Sequence, residues 1–355
     1  MKPVLIFGVP ASPYTKKLIA YFRFKQIPYS IVWGDTKTNL ELRGIELPKP
    51  ILLPTVLIED DNGELIASTD TTPLIRAFED KHPNRSTFPN DPVMSFINYL
   101  IEDYADEWVT KHMFHFRWSF DADINNAKQK LVLLHDVTME KDSIDAIADA
   151  VADRQISRLW VVGSNKETAS FIENNYTKLL SLLENHFATS PFMLGNRPSS
   201  SDFALYAQLE QLIRFDPTSR EIAHNTSMRT VAWIELVDDL SGLSDQIGST
   251  NTESQNDLTD NGWDDVKSIP NSLTNILNEI GSTYAPYLHA NAQAIANGHK
   301  TFEVQIDGVL WTQQSFKYQA KCLTWINDEY KKLSDEDKNR LLHLLDGTGC
   351  ESLLK

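Results

Sequence analysis

Cysteine is nearly absent from this sequence: Cys322 and Cys350 are the only two in 355 residues, and none occurs in the first 321. That scarcity excludes a disulfide framework and fits a reducing compartment such as the cytoplasm. Long apolar runs are missing too, since no stretch approaches the roughly 20 residues that a membrane-spanning helix needs. The opening segment MKPVLIFGVPAS has one lysine and a short apolar run, a superficial likeness to a secretory signal. Gly8 and Pro10 break that run and a fold element follows at once, so no signal peptide is expected. Basic residues are lacking where a nucleic-acid partner would need them. Residues 230–266 hold nine acids and no base, and the net charge is −16. Such a surface repels phosphate backbones, and nucleic acid is excluded as a partner on that ground. Residues 1–88 differ, with 11 Lys and Arg against 10 Asp and Glu, which leaves 22 against 39 for the rest. The near-neutral start remains compatible with a small anionic ligand.

What is present organises the first 82 residues as a compact α/β unit. Val4-Leu5-Ile6-Phe7 has strand character. A helical pattern follows Pro13, with Leu18, Ile19, Phe22 and Ile27 facing a core and Lys16, Lys17, Arg23 and Lys25 facing out. Pro28 ends it, and Tyr29–Trp33 reads as a second strand. A short helix fits the weakly patterned segment 36–47. Thr55–Ile58 and Glu64–Ala67 flank Asp60-Asp61-Asn62-Gly63, a hairpin signal because Asn-Gly tolerates the positive φ of tight turns. A helix is predicted over Thr71–Lys81, stopped before Pro83. The order βαβ(α)ββα has one parallel crossover followed by a hairpin.

Residues 85–92 read as a linker. From Val93 the pattern is helical to about residue 240, beginning with the apolar stripe Phe96, Ile97, Leu100, Ile101, Tyr104, Trp108 and Val109. Residues 241–270, rich in Ser, Asn, Asp, Gly and Thr, read as an acidic polar loop or disorder. Beyond it, residues 271–355 are mainly helical. They include a strand-like alternation over Thr301–Gly308, an amphipathic helix over Phe316–Lys332 and a last helix capped by Ser334.

Three motifs carry chemistry. Ser12-Pro13-Tyr14-Thr15 lies between the first strand and first helix, where backbone N–H groups and the positive end of the helix dipole converge. With no cysteine there, disulfide exchange is excluded. A hydroxyl can instead donate to a bound thiolate and lower a thiol pKa from about 8.5. The plainer reading is that Ser12 and Thr15 cap the helix. Leu53-Pro54-Thr55-Val56 opens the third strand, with Pro54 either an ordinary trans residue at a strand start or a cis one. Asp70-Thr71-Thr72-Pro73-Leu74-Ile75 opens a helix whose free N–H groups suit a carboxylate and whose acid suits an ammonium, or Asp70 is simply an N-cap. Further on, Ser199 and Asp202 have the spacing of a capping box that starts a buried helix; removing Ser199 should cost about 1 kcal/mol.

Together these motifs resemble the glutathione S-transferase superfamily, in its serine type, over roughly residues 3–240. The resemblance implies a fold of an α/β thioredoxin-like domain (1–84), an all-α glutathione transferase C-terminal-like domain (93–240), then the loop 241–270 and the extension 271–355, which has no counterpart in the ordinary two-domain protein. It implies glutathione as cosubstrate, with no metal, and Ser12 as the thiolate-stabilising hydroxyl, with Tyr14 and Thr15 as alternatives. Leu53, before a cis Pro54, would pair with the cysteinyl part, and Asp70 and Thr71 would hold the γ-glutamyl end. Asp70 replaces the usual Glu and reaches less far.

The family's acceptor pocket is lined by the first helices of the helical domain, which brings forward Tyr104, Trp108, His112 and His115 at helical spacing. Their plainer reading is core packing. A metal site is not expected, because no Glu-x-x-His or His-Glu-x-x-His spacing accompanies these histidines. Two functions follow. One is a cytoplasmic, homodimeric glutathione transferase acting on a hydrophobic electrophilic small molecule. The other is a non-catalytic interaction or scaffold protein on the same fold.

Overall fold

The computed structural model describes residues 2–60, 62–244 and 262–354. Strands β1 (Val4–Gly8), β2 (Tyr29–Trp33), β3 (Thr55–Glu59) and β4 (Leu65–Ser68) form one sheet in the order β2-β1-β3-β4. β1 and β2 run parallel, while β3 lies antiparallel to both β1 and β4. Helices α1 (Pro13–Lys25), α2 (Thr36–Glu41) and α3 (Thr71–Lys81) complete the thioredoxin-like unit. The hairpin, the parallel crossover and all three helices fall where the sequence pattern puts them.

The register decides what the sheet brings together. Phe7 pairs with Thr55 and Val56 with Ser68. The end of β1, the start of β3 and the end of β4 therefore share one edge of the sheet, and the turn into α1, the Leu53-Pro54 dipeptide and the start of α3 all emerge there.

The helical part begins with α4 (Pro92–Tyr104) and continues through a π-helical turn (Ala105–Val109) into α5 (Thr110–Ser119). Helices α6 (Asp121–Leu133), α7 (Lys141–Ile156) and α8 (Ala169–His186) follow. Then come α9 (Ser200–Glu210), a second π turn (Gln211–Phe215), α10 (Pro217–Thr226) and α11 (Met228–Val237). Ser199 and Asp202 form the expected reciprocal cap, the Ser199 N–H donating to Asp202 Oδ2 at 2.8 Å. The polar-loop reading of 241–270 falls largely on residues 245–261, which lie outside the described residues.

The extension supplies α12 (Asn271–Glu279), a third π turn (Ile280–Tyr284), α13 (Ala285–Ala296), the hairpin β5 (Thr301–Ile306) and β6 (Val309–Gln314), α14 (Lys317–Lys332) and α15 (Asp335–Leu345). It is not a separate unit. Leu273, Tyr287, Trp311, Ile326 and Leu353 belong to the same buried core as Ile6, Phe22, Trp108 and Leu205. Gly163 shows how close the fit is: with φ at +74°, it leaves space that a Cβ would fill 2.3 Å from the Trp311 ring.

The sequence pattern placed Lys17 and Lys25 on the outer face of α1, and the structure corrects this. Helix α1 packs against both α9 and α3, so both lysines are buried. Lys25 meets Glu79 at 3.0 Å. Lys17, fully buried, reaches Glu102 Oε1 at 2.7 Å, Asp106 Oδ2 at 2.5 Å and the Thr72 hydroxyl at 3.2 Å. This network joins α1 and α3 to α4 and the first π turn. Burial alone would lower the Lys17 pKa, but Asp106 and Glu102 outweigh it and hold the ammonium above its ordinary range. Removing the cation strands two buried carboxyl groups. Lys17→Met should cost about 3–5 kcal/mol in urea unfolding at pH 7. The loss should shrink at low pH, where protonation of Glu102 and Asp106 removes the unpaired charges. An undiminished loss at pH 4 would sink this account.

Candidate functional site

The three motifs meet at the shared edge of the sheet. Ser12 is the N-cap of α1; its Oγ accepts the Thr15 N–H at 3.3 Å. Among the described residues its hydroxyl proton has no acceptor, so the capping and thiolate-donor readings are compatible: one uses a lone pair, the other the proton. The Ser12 turn is fixed from the helical side, a contribution that sequence patterning did not reveal. Arg117 donates to the Ala11 carbonyl at 3.2 Å and Gln211 to the Pro10 carbonyl at 3.1 Å. Arg117 is buried and held in turn by both oxygens of Asp216, at 3.0 and 3.1 Å. No spacing rule joins residues 11, 117, 211 and 216, which only the docked domains bring together.

Of the two alternatives to Ser12, Tyr14 is committed elsewhere, and the Thr15 hydroxyl is buried with no hydrogen-bond partner among the described residues. The Tyr14 hydroxyl donates to the Asp106 carbonyl at 2.8 Å, and burial with the nearby Glu107 and Asp106 charges keeps it protonated. Thr15 is fully buried beneath β1, where a Cβ on Gly8 would lie 2.6 Å from its methyl group.

The Leu53–Pro54 bond is cis. Leu53 is partly exposed, and neither its N–H nor its C=O finds a partner among the described residues. Asp70 begins α3 with φ at 75° and ψ at 109°. A residue with a side chain is strained there by about 1–3 kcal/mol. It is held by two bonds: Oδ1 accepts the Thr72 N–H at 3.3 Å and Oδ2 accepts the Tyr318 hydroxyl at 2.8 Å. Thr71 is buried, and its hydroxyl has no partner among the described residues.

The acceptor candidates are placed differently from the expectation that one face of their helix opens to a cleft. Tyr104, Trp108, His112 and His115 are each about 1% exposed. Tyr104 packs edge-on to Tyr284, and Trp108 packs against Tyr284, Tyr287 and Trp311, all from the extension. The Trp108 indole N–H donates to Asn175 Oδ1 at 3.0 Å, and His112 Nε2 shares that oxygen at 2.8 Å. His115 Nδ1 meets the Ser164 hydroxyl at 2.8 Å. Burial lowers His112 to about 3 and His115 to about 4, so both stay neutral at pH 7. The 3.4 Å approach of His115 Nε2 to Glu173 is therefore not an ion pair. A pocket of about 210 Å³ opens beside α1, lined among others by Lys16, Arg23, Trp33 and Asp238; none of Ser12, Leu53, Asp70 or Thr71 lines it.

Between the motif edge and the extension lies a buried polar layer. Burial, reinforced by mutual repulsion, raises Asp103 to about 7 and Glu107 to about 8. Asp103 accepts from the Tyr284 hydroxyl at 2.6 Å, and Glu107 from Gln319 at 3.0 Å. Lys111 has no hydrogen-bond partner for its amine among the described residues; it sits 4.2 Å from the Tyr287 ring centre, and burial lowers it to about 7. Among the described residues, no three or more His, Cys, Asp or Glu side chains group as metal ligands, and no helix is long and apolar enough to cross a membrane. Cys322 and Cys350 are free and buried.

Residues 155–243 match the family model for the glutathione S-transferase C-terminal domain. With a thioredoxin-like sheet before that segment, the chain has the domain order of the glutathione S-transferase superfamily, and the family model supports that likeness over residues 155–243. Similar solved structures include a beta-etherase of Sphingobium sp. strain SYK-6, at 14% identity and TM-score 0.47, covering 67% of this chain and 95% of that one. A glutathione transferase family member of Pseudomonas fluorescens, solved with two glutathione bound, is 12% identical at TM-score 0.40, covering 65% and 86%. One from Pseudomonas putida, with one glutathione disulfide bound per subunit, is also 12% identical at TM-score 0.40, covering 66% and 85%. No curated protein matches the sequence.

The buried acids give a pH dependence with a defined sign. Glu107 titrates near 8 in the fold against about 4.3 unfolded, so the folded state holds the extra proton between those values. Its stabilising contribution is complete below pH 4 and is lost as pH rises through 8. Glu107→Gln, which keeps an acceptor for Gln319, should match wild type in urea unfolding at pH 4 and exceed it increasingly up to pH 9. A difference independent of pH would refute the assignment.

Proposed function

We propose that the protein binds glutathione at the shared sheet edge and activates its thiol for attack on a hydrophobic electrophile. The observation that carries this reading is the pair of open groups on adjacent chain ends. Leu53, in the bend before Pro54, has an N–H and C=O with no partner among the described residues, and there the Ser12 hydroxyl proton at the start of α1 is likewise unclaimed. A peptide running along Leu53 would satisfy both backbone groups, and its cysteinyl sulfur would meet the Ser12 hydroxyl and the helix dipole. Asp70 and Thr71 would take the ammonium and carboxylate of the γ-glutamyl end. The thiol proton leaves to solvent, and the thiolate sulfur then bonds to the electrophilic carbon. It either displaces a leaving group that departs with its electron pair or adds to a polarised double bond whose far atom takes the pair and then a proton from solvent; the protein supplies no covalent nucleophile. We place this activity in the cytoplasm, in a homodimer.

One observation favours the second reading, a non-catalytic glutathione transferase-fold scaffold. Of the residues where the family's acceptor would lie, Tyr104 and Trp108 are covered by the extension, and His112 and His115 are buried within the helical domain. Calorimetric titration with glutathione, together with thiolate ultraviolet absorbance against pH, separates the two. The enzyme reading expects binding at millimolar glutathione or below. It also expects a bound thiol ionising near neutral pH, returned toward about 8.5 in Ser12→Ala. Absence of binding would sink the glutathione reading. Binding with an unshifted thiol would leave the scaffold.

A further inference from the structure

The extension reaches the motif edge through one side chain, and its approach is built rigidly. Buried Asn291 on α13 clamps the backbone of Phe316: it accepts the Phe316 N–H at 2.7 Å and donates to the Phe316 carbonyl at 2.9 Å. Three residues on, buried Gln319 donates to the Glu107 carboxylate at 3.0 Å and accepts from the Tyr287 hydroxyl. Between these anchors Tyr318 projects onto Asp70, its hydroxyl 2.8 Å from Oδ2. Its ring stands edge-on to Trp325 at 5.6 Å. Tyr318 and Asp70 both keep part of their surface open to solvent, so the contact does not seal the acid.

The hydrogen-bond inventory then sets what this pair offers. A phenol that donates its proton to Asp70 retains lone pairs on oxygen as acceptors. Each Asp70 oxygen accepts one bond, Oδ1 from Thr72 and Oδ2 from Tyr318, which leaves a lone-pair site on Oδ2 next to those of the Tyr318 oxygen. A carboxylate and a phenol oxygen side by side make a subsite for a primary ammonium, with the charge from one and the second acceptor from the other. Aspartate is a methylene shorter than the glutamate usual at this position in the resemblance, and the bonded phenol extends its reach. Thr71, buried with an unpartnered hydroxyl, adjoins the pair.

We propose that Tyr318 is a ligand-binding residue of the γ-glutamyl site, its oxygen accepting from the ligand's ammonium while its proton holds Asp70. This rests on the glutathione reading above. It gives the extension a role in ligand selection: preference for a γ-glutamyl end with a free ammonium.

The test uses the full chain and two ligands, glutathione and glutaryl-cysteinyl-glycine, which lacks only the ammonium. Tyr318→Phe keeps the ring on Trp325 and removes the hydroxyl; thermal unfolding checks that it folds as wild type. Wild type should prefer glutathione. Tyr318→Phe should bind glutathione about five- to tenfold more weakly, with affinity for the glutaryl analogue unchanged. Equal affinity of variant and wild type for glutathione would overturn the proposal. So would tighter binding, because the phenol would then compete with the ligand for Asp70. An equal loss for both ligands would overturn it as well, by reducing Tyr318 to packing. If wild type binds no glutathione, the failure falls on the glutathione reading itself, whereas the other outcomes leave that reading standing.

Discussion

The ion network at Lys17 is the constraint on which the arrangement depends. A single ammonium, fully buried, answers Glu102 and Asp106 from the helical domain and the Thr72 hydroxyl from α3. Buried ion pairs are poor sources of net stability, because desolvation costs about as much as the Coulomb attraction returns. They are effective at excluding alternatives, since any other docking of the two domains leaves a charge unpaired. Ser200 adds a donor to the second Glu102 oxygen at 2.7 Å, which ties the same network to the first turn of α9. The start of α3, the π turn after α4 and the capped start of α9 are thus fixed relative to α1 by one set of polar contacts. Arg117 repeats the device on the other side of the Ser12 turn, where Asp216 orients it and the Ala11 carbonyl receives it.

The extension changes what the first helices of the helical domain can do. The acceptor candidates are Tyr104 at the end of α4, Trp108 in the first π turn, and His112 and His115 on α5. Here Tyr284, Tyr287 and Trp311 cover two of them, and the polar atoms underneath are answered within the core. Glu279 from α12 accepts from Asn175 at 2.5 Å, and Asn175 in turn holds Trp108 and His112. The buried layer is incompletely satisfied, however. Lys111 and the Tyr104 hydroxyl have no hydrogen-bond partner among the described residues. Such a layer is costly and pH-sensitive, and its cost is offset by the aromatic burial around it.

The thioredoxin-like unit was readable because its signals are local. Pro13 and Pro28 bound a helix, Asn62-Gly63 marks a hairpin, and the motif order fixes the edge on which Ser12, Leu53 and Asp70 meet. The capping box at Ser199 and the Ser334 cap were legible for the same reason. What escaped was long-range. Helical spacing cannot distinguish a face turned to a cleft from a face turned to a later segment, so the four acceptor candidates looked the same either way. Lys17 and Lys25 read as outward because a lysine is ordinarily a surface residue, and only the packing of α1 against α9 and α3 overrides that. Tyr318 lies 248 positions from Asp70, beyond any spacing rule.

These contacts also give the motif edge a polarity. At one end, α1 directs its positive terminus toward Ser12, and the Arg117 guanidinium lies one residue away on the Ala11 carbonyl. At the other end stand Asp70 and, behind it, Asp106, whose charges act on half-buried Tyr14 between the two. Under the glutathione reading, a ligand with a developing thiolate at one end and an ammonium at the other matches this field in only one orientation. Lys17 tempers the acidic end: its ammonium lies on both Glu102 and Asp106, so the two carboxyl groups behind Asp70 share one positive charge. The residue that docks the domains and the field that would orient the ligand are therefore one electrostatic arrangement, and neither can be altered without the other.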